Sequence, residues 1–217
     1  MVHKKKMAWR IGIYLVGMTV LALGITLNTL SGLGTSAIIS MPYTVSRGAS
    51  LSFANLTLLL YCVFVAAEIV IKGKQRNWLD LLQIPLSIVF TRFMALFQLM
   101  ITYQNGSMPT DLLMLVIGIL LTGIGAATTV DMMLIPNPGD GIVNSISMRT
   151  GKELGLCKNC FDLGSVTCSV LIGLAFGSPL LGVGLGTLLS MLGVGRVMAI
   201  WNRMVKQKLV SLAGLNP

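Results

Sequence analysis

The chain has 217 residues, 54% of them apolar and 11% charged, with a formal net charge of +9. A soluble domain of this length alternates polar and apolar faces. This chain instead carries apolar runs of about twenty residues, each able to cross a hydrocarbon core of about 30 Å at a rise of about 1.5 Å per residue. The basic residues sit in short clusters at the ends of those runs, so the charge is topological and excludes a nucleic-acid partner as its reason.

In chain order, the first helix is expected near 9–31. His3, Lys4, Lys5 and Lys6 precede it in the manner of a signal peptide. The run from Met7 to Leu30 is longer than a signal core of roughly 7–15 residues, however, and no A-x-A pattern closes it. It reads as a retained crossing. TSAIISMPYTVSR (35–47) follows, too short at 13 residues to cross alone. Full-length runs come next at 53–71 and 79–101, separated by Lys72, Lys74 and Arg76, with Asp80 at a helix start where it suits the dipole. The loop TYQNGSMPTD (102–111) has no basic residue. A fourth run, 111–135, opens on Asp111 and ends in IPNPGDG (135–141), whose prolines and glycines break a helix. The second short piece, GDGIVNSISMRT (139–150), leads through Arg149, Lys152 and Lys158 to runs at 158–177 and 181–201, before Arg203, Lys206 and Lys208.

Charge placement decides whether the short pieces cross. If both return to the side they left and the N-terminus is inside, all four basic clusters are cytoplasmic, thirteen of the sixteen Lys and Arg. If both cross, the cluster from Lys72 to Arg76 faces out. The expected fold is therefore an all-α polytopic membrane protein of six transmembrane helices with two short broken or re-entrant segments, both termini cytoplasmic.

The two halves resemble each other. RFMALF (92–97) and RVMAIW (196–201) match at an offset of 104, which also sets Gly34 against Pro138 and Ser36 against Asp140. An offset of 101 pairs Gly17 with Gly118 and Gly24 with Gly125, and inserted residues near the turn reconcile the two. The chain divides into three-helix repeats at 1–104 and 105–217. An odd number of crossings per repeat inverts one against the other, as in many secondary transporters.

Charges at membrane depth are the candidates for function. Arg92 and Arg196 lie well inside the third and sixth runs. A buried arginine faces a partner or water, and its planar fork suits a carboxylate or phosphate. The structural alternatives are snorkelling for Arg196 and, for Arg92, an ion pair with Glu68, Asp131 or Asp162. Asp140 would orient a solute or couple a proton, with Ser36, Asn137 and Asn144 as polar neighbours. Asp131, Asp162 and Glu68 are coupling or ion-pair candidates, and a cationic solute read by these carboxylates is the rival.

Other features carry less. Cys157 and Cys160 form CKNC, but no second ligand pair exists and His3 is the lone histidine, so no metal and no cofactor is expected. Cys62 and Cys168 read as small core residues. Glycines 182, 184, 186, 193 and 195 follow no strand and read as close-packing surface. A GxGD protease context is absent, because Asn137-Pro138-Gly139-Asp140 lacks its first glycine, so no enzyme is expected.

NPGDGIVNSISMRTG (137–151) followed by GVGLGT (182–187) resembles the YczE/YitT-type integral membrane proteins of bacteria. GLGTSAIISMPYTVSRG (32–48) is similar to the matching first-half segment, departing from it with Thr35 and Ala37 where proline and aspartate are common. The resemblance implies a multi-pass permease of the bacterial inner membrane, with Asp140 at the family's polar position. The expected function is secondary transport of an anionic or zwitterionic small molecule held near the midplane by Arg92 and Arg196. The site would lie where the broken segments meet the third and sixth helices. Membrane lipid and a second copy of the chain are the expected partners. The alternatives are a substrate-binding subunit of a larger ATP-driven transporter and a non-transporting assembly factor.

Overall fold

The computed structural model describes residues 2–75, 77–103 and 106–215. Arg76 of the second basic cluster, and Gln104 and Asn105 of the loop at 102–111, lie outside the described residues, as do the side chains of His3, Lys4 and Lys5. Among the described residues the chain is helical without strands. The helices are α1 (Val2–Leu30), α2 (Ala37–Ala49), α3 (Phe53–Lys72), α4 (Gln83–Met100), α5 (Met108–Asp131), α6 (Pro138–Thr150), α7 (Leu154–Ala175) and α8 (Leu185–Leu212).

Among the described residues, five segments are long and apolar enough to cross a membrane: Lys6–Leu30, Phe53–Gln75, Trp78–Met100, Met108–Asp131 and Leu185–Leu212. The remaining expected crossing, α7, has 22 residues but carries Lys158, Asn159 and Asp162 in its first half, which makes it less apolar. The helix starts follow local chemistry. Ser52 caps α3 by accepting from Asn55 N, and Pro109 and Asp111 occupy the first turn of α5. Asp80 opens the 3-10 turn before α4 and bonds back to Asn77 N at 3.3 Å. The last helix overruns its expected end at 201, because no proline or glycine interrupts residues 196–212 and Gly214, at φ 71°, is the first stop.

The centre of the fold is a seam of glycines. α1 and α5 run antiparallel, with Gly17 against Thr128, Gly24 against Thr122 and Gly125 against Leu21. A β-carbon on Gly24 would stand 2.9 Å from the Gly118 carbonyl oxygen, and one on Gly125 would stand 2.7 Å from the Gly17 carbonyl oxygen. The seam is self-complementary: what Gly24 does to Gly118, Gly125 does to Gly17. Small residues let backbones approach this closely, which drives helix association where lipid and side chains are equally apolar.

Around the seam the short helices cross over. α2 packs on α7, and α6 packs on α3. Thr44 and Ser169 share a buried hydrogen bond of 2.6 Å at the first of these contacts. At the second, a β-carbon on Gly141 would stand 2.6 Å from Glu68 Oε2. α1 and α5 end 101 residues apart, α2 and α6 start and end 101 apart, and α3 and α7 start 101 apart. The short helices therefore correspond at the glycine offset. Asn137 stands opposite Ser36, and Asp140 opposite Ile39, which displaces the pairing at 104. The extra residues lie beyond the starts of α3 and α7, before the RFMALF and RVMAIW segments.

Light contacts of α1 and α2 with α8, and above all the contact of α3 with α4, break this correspondence. α3 packs along α4, closed by Tyr61, Phe64 and Phe90, with Tyr61 and Phe90 stacked at 6.0 Å. α7 and α8 touch at most slightly.

Candidate functional site

The two breaks are built differently and meet at one cavity. After α1 the chain turns through Gly32 and Gly34, at φ 69° and 110°, a region open to glycine. Leu33 O accepts from Gly186 N at 2.7 Å, and β-carbons on Gly184 or Gly186 would strike this turn. The GVGLGT stretch is thus the packing surface of the first break. After α5 the turn passes through Met133 at φ 48°. Arg10 donates from Nε to Met132 O at 2.6 Å and from Nη2 to Met133 O, and Tyr14 donates to Ile135 O at 2.9 Å. A cation on the last carbonyls of a helix also suits its dipole.

Each break ends by launching a 13-residue helix. Asn137 caps α6, accepting from Gly139 N at 3.0 Å and donating from Nδ2 to Tyr61 OH at 3.3 Å. Ser36 makes no side-chain cap bond for α2, so the first N–H groups of that helix receive no acceptor from it. Both N-termini line a cavity of about 310 Å³. Its other walls come from α7 (Lys158, Asn159, Asp162), α8 (Ser190, Met191 and Val194 among others) and the α1–α5 seam (Leu21, Ile25, Thr122, Ala126), with Tyr61 from α3.

The cavity carries both signs of charge. Lys158 Nζ lies 3.9 Å from Asp140 Oδ1 and 3.8 Å from Asp162 Oδ2. Lys158 and Asp140 are about half exposed, whereas the Asp162 side chain is 13% exposed. The Lys158–Asp140 contact, long and between half-exposed groups, contributes little, on the order of 1 kcal/mol or less, and the contact to Asp162 is as long, so Lys158 is displaceable. The Ser190 hydroxyl is buried in the same wall without a hydrogen-bond partner among the described residues. The arrangement offers helix N–H groups and an ammonium to an anionic group, and two carboxylates to a cationic one.

Of the expected site residues, Ser36, Asn137, Asp140 and Asp162 line the cavity. Arg92 does not line it. It lies exposed on α4 and donates from Nη2 to Asn55 Oδ1 at 2.6 Å. Arg196 is exposed on α8, one residue beyond the cavity wall at Gly195. The two arginines are not brought to a shared site, and of the expected third and sixth helices only the sixth, α8, contributes to the cavity. Asn144 is exposed on α6 and lies outside it.

Glu68 and Asp131 serve other contacts. Glu68 is buried and accepts from Lys72 at 2.6 Å and Gln83 at 2.8 Å, and Lys72 also bonds Asp80 at 2.7 Å. Asp80 therefore does more than open a helix. Asp131, the last residue of α5, faces Lys206 at 3.3 Å. Cys168, expected in the core, is exposed, while Cys157 is buried and Cys160 exposed.

Lys158, Ser190 and Tyr61 were missed as site residues. Lys158 sits four residues before Asp162, a spacing that places both on one helix face. That signal is present in the sequence, but Lys158 fits the topological charge of its basic cluster equally well.

No curated protein and no solved structure matches the chain. A family model does match, over residues 8–203. The chain belongs to DUF6198, a family of unknown function.

Proposed function

We propose that the chain is a secondary transporter of the bacterial inner membrane that moves a small zwitterionic solute by alternating access. Its frame is two inverted repeats of three crossings each, with α2 and α6 as re-entrant pieces. The observation that carries the reading is the single cavity where the N-termini of α2 and α6 meet beside Lys158, Asp140 and Asp162. The first turn of α2 and the Asn137 end of α6 bind the solute's anionic group, in the manner of discontinuous helices in transporters. Asp140 and Asp162 take its cationic group, displacing Lys158. A solute of one sign satisfies only half of this wall, which favours a zwitterion.

The antiparallel seam and the crossed packing of α2 on α7 and α6 on α3 support inversion, because exchange of the halves maps these contacts onto themselves. The largest contact that fails the exchange supports alternation. α3 is closed on α4 while α7 stands off α8, so the opposite state closes the second pair and parts the first. The resemblance of 137–151 to the YczE/YitT-type proteins agrees with a permease.

The test is binding and uptake of labelled zwitterionic solutes by protein reconstituted in liposomes. Asp162→Asn is expected to lower both, and Lys158→Ala to tighten binding, because it removes the ammonium that the solute displaces, while Arg92→Ala leaves both intact. If neither cavity substitution changes binding or flux of a solute that the wild type transports, or if no zwitterion is taken up, the reading fails.

A further inference from the structure

A second concavity lies on the outer face of the bundle, where α1 and α8 both lean on α5 and touch each other little. It holds about 680 Å³ and is lined by Trp9, Gly12, Val16 and Val20 of α1, Ile124 of α5 and Trp201 of α8, among others. Thr128 is the one hydroxyl in its wall, and that hydroxyl is already engaged, accepting from Trp201 Nε1 at 3.1 Å and donating to Ile124 O at 2.8 Å. The groove therefore has nothing to offer a polar ligand and suits hydrocarbon.

One end of the groove is basic. Trp9 and Leu209 line it there, and Lys6, Arg203 and Lys208 are exposed close by in sequence on the same helix ends. Lys206 is partnered with Asp131, which is buried, and Arg10 is occupied by the turn after α5. Lys6 is held at this end, because its aliphatic chain packs over Gly214 beyond the end of α8.

The length of the groove identifies the occupant. Along α1 it runs from Trp9 to Val20, which at about 1.5 Å per residue is roughly 16 Å. That is half of a hydrocarbon core of about 30 Å, the depth of one leaflet. A partner helix would need a seam running the full crossing, whereas one acyl chain needs one leaflet. Exposed Trp9 stands at the basic end, where interfacial aromatics sit.

We propose that this groove binds an anionic phospholipid, with an acyl chain between α1 and α8 and the headgroup held by Lys6, Arg203 and Lys208. The site is separate from the cavity of α2 and α6 and does not rest on transport. The probe is native mass spectrometry of protein released from vesicles of phosphatidylcholine mixed equally with phosphatidylglycerol. The wild type is expected to retain phosphatidylglycerol over phosphatidylcholine. Replacing Lys6, Arg203 and Lys208 together by Gln lowers that preference about tenfold or more, since each cation near an anionic headgroup contributes about 1 kcal/mol. Gly12→Leu fills the groove and lowers retention of both lipids. It leaves the fold intact, because nothing lies within 4 Å of a β-carbon there. Equal retention of the two lipids by the wild type, an unchanged preference in the triple variant, or a dimer mass that Gly12→Leu abolishes would each overturn the proposal.

Discussion

Gly125→Ala tests the seam on which both halves depend. The added β-carbon would stand 2.7 Å from the Gly17 carbonyl oxygen and closer still to the backbone of Leu21. Comfortable contact begins at about 3.4–3.5 Å, so α1 and α5 must part by roughly 0.7 Å or more. The obstacle is helix backbone, with no side chain free to swing away. Overpacking of this kind costs about 1–3 kcal/mol, against which alanine returns up to about 1 kcal/mol of helix propensity. The net loss is about 1–2 kcal/mol, or roughly 2–8 °C in unfolding temperature for a chain of this size. The assay is thermal unfolding in detergent, with Gly195→Ala as reference, because a β-carbon at Gly195 meets nothing within 4 Å. Gly24→Ala should cost about the same as Gly125→Ala, since the contacts are reciprocal. The double variant should lose less than the sum, because the first substitution has already parted the helices. Equal melting of Gly125→Ala and Gly195→Ala would refute the reasoning.

Two further substitutions probe what holds the breaks. Lys72→Ala leaves the buried Glu68 carboxylate without its cation and should cost about 3 kcal/mol or more, much of it recovered by adding Glu68→Gln; melting temperatures of the two variants check this, and no recovery in the double variant would count against an unpaired charge. Arg10→Ala removes two charged donors from the carbonyls of Met132 and Met133, a loss of about 1.5–3 kcal/mol per bond at most. Amide exchange across residues 132–136 should then accelerate, and unchanged exchange would show that Arg10 does not hold the turn.

Much of the frame was legible in sequence. Apolar runs gave the long helices, the prolines and glycines at 135–141 gave the second break, and Gly17, Gly24, Gly118 and Gly125 gave the offset of 101 that the helix bounds follow. The position of charge along a helix was also legible, but its direction around the axis was not. In a chain that is apolar on every face, periodicity no longer tells inside from outside. Arg92 could therefore be placed at depth, yet nothing in its neighbours said that it turns to Asn55 and away from the breaks. The parting of α7 from α8 was equally hidden, because it depends on how two helices lean and not on what either contains. Asp140 and Asn137 were found because a carboxylate and a cap beside Pro138 follow local rules.

The glycine seam also orders the making of the protein. α1 leaves the ribosome with its narrow face exposed, and the face that completes it is encoded about a hundred residues downstream. At roughly 5–20 residues per second, α1 waits about 5–20 s in the translocation machinery or the lipid before α5 arrives. The turn after α5 then closes on Arg10 and Tyr14, side chains synthesised some 120 residues before it. α1 is thus a template that the second half folds onto, and a nascent chain halted before residue 108 should remain open to helper proteins that shield unpaired helices.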